Sequence, residues 1–494
     1  MEPIVLIHGY SAESAQKTAG AIESIYGWLP RSLAEIYGGK AVVEIDLGRY
    51  VSLEDGVTLD DISRALDRAL TEDFPHLLRG RFHAVVHSTG ALVLRNWIRR
   101  FSPKPSPIQN AVYLAGASFG SGWAHIGRGQ LAKWARKVFQ GGAERGVQVL
   151  EALELGSDET IDLHLHFLQA GCSMTSDYKV REFVIVGSQA HVDWFVVPIR
   201  YAKEDGSDGV VRVSASDLNY SYLSLCPTAE ARRLSWAQAL AQRDRHEARR
   251  GPRRAFYEIR RQSRPGIAGR PEVPLAIPYR CAHSGPDMGI MTGAKPRQQV
   301  LGLLRMALET RGGRSLERVA AFRQQTAQTY RDLLAEKPPP WWRKWIDEPR
   351  AQYDHHSQII FRLRDQDGRP VTGFDIFFDS VKGPQDTSLP MRKLMEDKHV
   401  NGVSPNIITF YLRVGAFSKE AGDWVDRVPE VQGCYLEISA LEPRTEEILY
   451  LPLRLEIGAK ALQTWIQWDR TTIVDVELLR VPSPEIFRLV RAVD

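Results

Sequence analysis

Residues 82–97 read FHAVVHSTGALVLRNW. The stretch decides the fold because it changes period in the middle. Phe82 to Val86 is a short apolar run of the kind that makes a buried strand. Thr89 to Arg100 carries its apolar residues at helical spacing. Between the two stands V-H-S-T-G, nearly the pattern G-x-S-x-G, with Val86 where the first glycine should be. A serine on a tight strand-to-helix turn presents its Oγ above the sheet, near the positive end of the following helix. Gly90 would let the helix pass close to the strand. The pentapeptide alone leaves two readings open for Ser88, a nucleophile or a serine that merely makes the turn.

The neighbouring segments repeat the alternation. Ile4 to Gly9 and Ala41 to Leu47 read as buried strands, and Ala111 to Ala117 and Arg181 to Ser188 follow in the same manner. Helical patterns run between them over Ala21 to Tyr37 and Asp61 to Leu70, the latter with Thr58 and Asp60 as candidate caps. Alternating strands and helices predict a mainly parallel sheet covered on both faces. From Gly120 to Gln169 the strand rhythm stops for about fifty residues, an excursion on the scale of a cap or lid. Residues 229–270 read as a basic, helical segment, with arginine pairs at 232–233, 249–250, 253–254 and 260–261. That segment is a solvated face or a patch for anionic lipid head groups or an acidic partner. Helices are expected over Pro296 to Thr310 and Leu316 to Ala335.

Three prolines in EKPPPWW, residues 336–342, then break the helical pattern and predict an extended linker reaching to about 354. Beyond it β-rich runs recur at short intervals, which predicts an all-β sandwich over 355–494. The catalytic-type domain is expected to span 1–335.

At 43% hydrophobic and 25% charged, with a net charge of +4 over 494 residues, the chain has the composition of a globular protein. A charge this small for the length does not point to nucleic acid. Four cysteines lack any C-x-x-C spacing, which argues against zinc or thioredoxin-like chemistry. No metal or cofactor is expected. No run approaches the ~20 apolar residues of a membrane span, and MEPIVLIHGY lacks the form of a secretory signal. The expectation is a cytoplasmic chain, or one exported by a route that needs no cleaved signal.

Other motifs read as structural. His164 and His166 in DLHLHF fall on different faces of a helix, poor metal geometry, and fit a lid helix. His355 and His356 in YDHHS read as surface residues. DQDGRP, residues 365–370, begins like a calcium loop but lacks the later ligands and reads as a β-turn. WWRKW, residues 341–345, packs domains together or touches a membrane interface.

Acyl transfer through a serine needs two N–H donors aimed at the developing oxyanion. The N–H of Thr89, directly after Ser88, is one candidate. The loop after His8-Gly9 would supply the other, with Tyr10 the best choice and His8 shaping the loop.

A strand ending in His8-Gly9, followed by a strand ending in His87-Ser88-Thr89-Gly90, resembles the α/β-hydrolase superfamily. Two further stretches are similar to its bacterial lipase and lecithin:cholesterol acyltransferase-like branch. LAGASFGSGWA, residues 114–124, matches a lipase stretch at Gly120, Ser121 and Ala124, with Ala117 and Ser118 in place of a proline and a histidine. GSDGVVRVSAS, residues 206–216, is similar to the lipase stretch that carries the triad acid, which the resemblance assigns to Asp208. Asp205, Asp193 and Asp177 compete for that role. In this superfamily the order is Ser, acid, His. Two histidines lie between Asp208 and the proline linker, His246 in a basic helical stretch and His283 in a loop after a strand. His283 is the choice for the base.

The resemblance implies a serine hydrolase of a lipid carboxylic ester, with a lipid or membrane surface as its substrate. It equally allows an acyltransferase with the same three residues, or a silent hydrolase fold used for binding, the C-terminal sandwich recruiting a protein partner.

Overall fold

The computed structural model describes residues 2–8, 25–52, 56–121, 147–189, 204–247, 256–267, 269–312, 315–336, 349–380 and 388–486. These form two compact units. The first comprises Met1–Asn219, Arg264–His356 and Ala416–Val425; the second comprises Tyr220–Ser263, Ser357–Gly415 and Asp426–Asp494.

The first unit is built on a six-stranded sheet. In chain order its strands are β1 (Ile4–Ile7), β2 (Val42–Ile45), β3 (Phe82–His87), β4 (Ile108–Leu114), β5 (Arg181–Ile185) and the short strand Leu275–Ala276. Across the sheet the order is β2, β1, β3, β4, β5 and Leu275–Ala276, every pair parallel. β1, β3 and β4 are buried along almost their whole length, which is why they read as unbroken apolar runs. Helices Leu29–Tyr37 and Arg297–Leu308 bury Leu29, Leu33, Val300, Leu303, Leu304 and Ala307 with Ile4, Leu6, Val85 and Val112 in one apolar cluster. Helix Leu59–Arg68 begins with a capping box between Thr58 and Asp61, the second acidic residue after the expected cap. This is the α/β-hydrolase fold.

Half of the expected lid, residues 122–146, lies outside the described residues. Its described end is part of the packed body. Helix Asp158–His166 buries His164, whose ring lies 4.3 Å from that of Phe119. His166 stays partly exposed, in line with two faces of one helix. Of the expected linker, residues 337–348, WWRKW included, lie outside the described residues, while Pro349–Gln352 is a short helix and Tyr353 and Asp354 are buried.

The second unit corrects the expected boundaries. Residues 229–270 are not one helix. A helix spans Trp236–Glu247, and strands Ser221–Pro227 and Tyr257–Ser263 flank it as an antiparallel pair. SYLSLCP carries the alternation of a strand, Leu223 and Leu225 facing the apolar core while Tyr222 and Ser224 do not. YEIRRQS hides its strand character, because five consecutive residues from Glu258 to Gln262 are exposed. Ser221–Pro227 pairs in parallel with Thr471–Leu478, which also pairs in parallel with His355–Asp365. The accessory unit is therefore β-rich with a mixed sheet, and it starts at 220 rather than 355 in the chain. A three-stranded antiparallel sheet, Phe374–Asp379, Gly433–Ala440 and Leu453–Gly458, shares one core with that mixed sheet. Phe378 meets Phe361 and Phe410 there at ring distances of 5.7 and 5.9 Å.

Two smaller expectations resolve locally. Asp365 Oδ1 accepts from the amides of Asp367 and Arg369, so DQDGRP is a turn, with Gly368 at φ 80°. His355 and His356 are buried, not surface residues; His355 stacks on Tyr330 at 4.9 Å.

Candidate active site

The backbone at Ser88 is left-handed, φ 54°. A non-glycine residue pays roughly 1–2 kcal/mol for that conformation, and it persists only where neighbours hold it. They do. Ser88 N donates to Leu114 O at 3.1 Å, and Ser88 O accepts from Ala91 N at 3.1 Å and from Ala117 N at 3.2 Å. The turn is thus stitched to the end of β4 as well as to helix Gly90–Arg100. Val86, the residue out of pattern, is fully buried in register between Ile7 and Tyr113, and the tight turn forms around it. The close approach falls at Gly116, where a Cβ would come within 2.9 Å of the Ala91 methyl. Thr89 is the residue before the helix, which sets its amide at the helix N-terminus.

Asp208 sits in a loop folded on itself. Its Oδ1 accepts from the amides of Val210, 2.9 Å, and Val211, 2.8 Å. Gly206 and Gly209 take positive φ on either side. The other carboxylate oxygen, Oδ2, lies 2.9 Å from His283 Nδ1. A second tie joins the same residues, His283 N to Asp208 O at 3.0 Å. One carboxylate oxygen therefore anchors the loop while the other orients the imidazole. His283 Nε2, the other ring nitrogen, is buried with no hydrogen-bond partner. Gly187, just past β5, has Cys281 O where its Cβ would be, 2.1 Å away. Only glycine lets the His283 loop lie this close to the sheet.

Of the competing acids, Asp177 accepts from Ser173 N in a separate turn, and Asp193 is outside the described residues. Asp208 is the acid that meets His283. His246 lies on helix Trp236–Glu247 of the second unit. Gly9 and Tyr10 are outside the described residues. His8 is buried at the end of β1, with Nε2 at 2.8 Å from Asp46 Oδ1 and 2.9 Å from Leu47 N. It ties the loop after β1 to the end of β2, and its hydrogen bond holds the Asp46 carboxyl below the usual range.

His87 packs against His283, its ring 4.6 Å from the His283 ring and tilted by 43°. Its Nε2 is buried and unpartnered. Burial first, and the His283 ring second, push its pKa well below the ordinary histidine value, so it is neutral. The sequence offered only its adjacency to Ser88; the contact across nearly two hundred residues has no local signal.

The four cysteines are unpaired. Burial raises the thiols of Cys226, Cys281 and Cys434, the last to about 12, the reverse of a nucleophilic thiol. Among the described residues no group of three or more His, Cys, Asp or Glu could hold a metal ion, and no helix is long and apolar enough to cross a membrane.

No protein-family model and no curated protein matches the chain. Among solved structures, the phospholipase PlaB from Legionella pneumophila matches with a TM-score of 0.75 at 22% identity, covering 100% of this chain and 96% of that one. The same phospholipase in complex with thio-NAD matches with a TM-score of 0.74 at 22% identity, covering 100% and 97%. The mature lipase BlEst2 of Bacillus licheniformis matches over 44% of this chain and 78% of its own, with a TM-score of 0.28 at 16% identity. The likeness to PlaB shows that the fold is shared over the whole chain.

Proposed function

We propose that the protein is a serine hydrolase that cleaves carboxylic esters of lipids, of the phospholipase type. The observation that carries the reading is Ser88 held at positive φ on a strand-to-helix turn, in the same unit as a buried Asp208–His283 pair whose Nε2 is unpaired. A strained serine in the same unit as an oriented, enclosed imidazole is costly to fold and useful for acyl transfer.

The steps follow from the groups present. His283 Nε2 takes the Ser88 proton as Oγ attacks the ester carbonyl. Asp208 holds the proton on Nδ1, keeping Nε2 as the acceptor, and stabilises the imidazolium that forms. The Thr89 amide stabilises the oxyanion, with Tyr10 as the second donor. His283 then returns its proton to the leaving alcohol, and water hydrolyses the acyl-enzyme by the same relay.

A phospholipid is the preferred lipid for two reasons: the whole-chain likeness is to a phospholipase, and arginine pairs recur from 232 to 261. The test is acyl release from mixed phosphatidylglycerol and phosphatidylcholine vesicles. Native protein should release fatty acid and Ser88→Ala should not. Acyl transfer to an added long-chain alcohol, with little free fatty acid, would replace the hydrolase reading with a transferase. Absence of acyl release from any lipid would overturn it.

A further inference from the structure

The geometry points to His87 as a positioning residue for the base, a neutral ring that stops His283 from swinging about its bond to Asp208. The inference rests on the reading of Ser88 and His283 as nucleophile and base. A ring tied by one nitrogen keeps a rotational freedom about that tie. The Asp208 contacts are to Nδ1 and to the main chain, and neither presses on the face of the imidazole. The His87 ring does, at 4.6 Å and 43°.

Its place in the chain adds to this. His87 is joined by one peptide to Ser88, whose φ is set by the turn. A shift of the nucleophile therefore moves the stop, and a shift of the stop moves the base. One residue couples the two partners of the proton transfer, which must come within hydrogen-bond reach for the step to occur.

There is a stability argument as well. His87 Nε2 is buried without a partner, and an unsatisfied buried polar atom is destabilising. An apolar ring of similar shape would avoid that cost, so stability alone does not explain a histidine here.

The experiment compares native protein with His87→Ala, His87→Phe and His87→Asn, using a soluble short-chain p-nitrophenyl ester and thermal melting. His87→Ala and His87→Asn should lose tenfold or more in kcat with KM within twofold. His87→Phe, which keeps a ring face, should recover to within about threefold of native kcat, and its melting point should equal or exceed that of His87→Ala. A His87→Ala protein with native kcat, a loss confined to KM, or equal losses in the folded Ala and Phe variants would each overturn the proposal. If the phenyl ring does not fit and the Phe variant unfolds, the downfield proton resonance of the Asp208–His283 hydrogen bond decides. It should broaden or move in His87→Ala, and an unchanged resonance would overturn the role. If native protein does not turn over any ester, or does so equally well as Ser88→Ala, the hydrolase reading itself fails. A null result at His87 alone leaves that reading standing.

Discussion

The two units solve opposite assembly problems. In the first, strands join the sheet mostly beside their neighbours in the chain, all parallel, and the candidate site residues lie in segments after those strands: Ser88 after β3 and His283 after Leu275–Ala276. In the second, the mixed sheet draws on residues 221–263, 355–418 and 471–478, and mixes parallel with antiparallel pairs. Its ties are structural. Arg362 meets Asp475 through two bonds, Nε to Oδ1 at 2.7 Å and Nη2 to Oδ2 at 2.9 Å, and Tyr222 donates to the same carboxylate. Both units contain a carboxylate paired with a nitrogen side chain, buried at Asp208 and partly exposed at Asp475. His283 keeps a buried Nε2 with no hydrogen-bond partner, whereas Arg362 and Asp475 bond across neighbouring strands. On the proposed function the first pair moves a proton and the second holds strands in register.

The comparison can be broken most sharply at the acid. Asp208→Asn should lower kcat by about 10³–10⁴-fold, because the wrong tautomer of His283 is then favoured, while the melting point changes little. A drop of only a few-fold would assign the acid to Asp205 instead. Arg362→Met in the second unit should do the reverse. It leaves Asp475 partly buried without its strong partner, costing that unit about 3 kcal/mol, visible as an earlier denaturant midpoint. Unchanged stability would show that the pair is a surface ornament.

A smaller effect tests the strain. Ser88→Gly should be more stable than Ser88→Ala by about 0.5–1 kcal/mol, since glycine takes positive φ without the steric cost. Equal stabilities would mean the turn stores no strain. The mildest prediction concerns pH. In the first unit, burial lowers the pKa of His83 and His166 to about 4 from 6.5, and lowers those of His87 and His164 as well. The unfolded chain therefore binds these protons first as pH falls. Their contribution to stability is present above about pH 6.5 and is lost as pH drops toward 4. Denaturant titrations at pH 7 and pH 5 should show the first unit weaker at pH 5.

These differences also explain what could be read from the chain. β1, β3 and β4 announce themselves because a strand buried on both faces is a continuous apolar run, and FHAVVHSTG marks its own turn. Asp208 and His283 are legible as a pair of landmarks in the right order, since each stands in a loop with its own signature. The edge strand Tyr257–Ser263 is not, because exposure on consecutive residues erases its alternation. Nor is the start of the second unit at 220, since strand pairing across 250 residues leaves no local trace. His355 and His356 look polar enough for the surface, yet tertiary packing buries them. The His87–His283 contact belongs to the same class.

The central claim is that Ser88 is the nucleophile. A fluorophosphonate probe followed by peptide mapping tests it most directly. The account predicts a single adduct on Ser88 in native protein, none in a folded Ser88→Ala variant, and much slower labelling in His283→Ala. Labelling that survives Ser88→Ala, or no adduct at Ser88 in native protein, would contradict it.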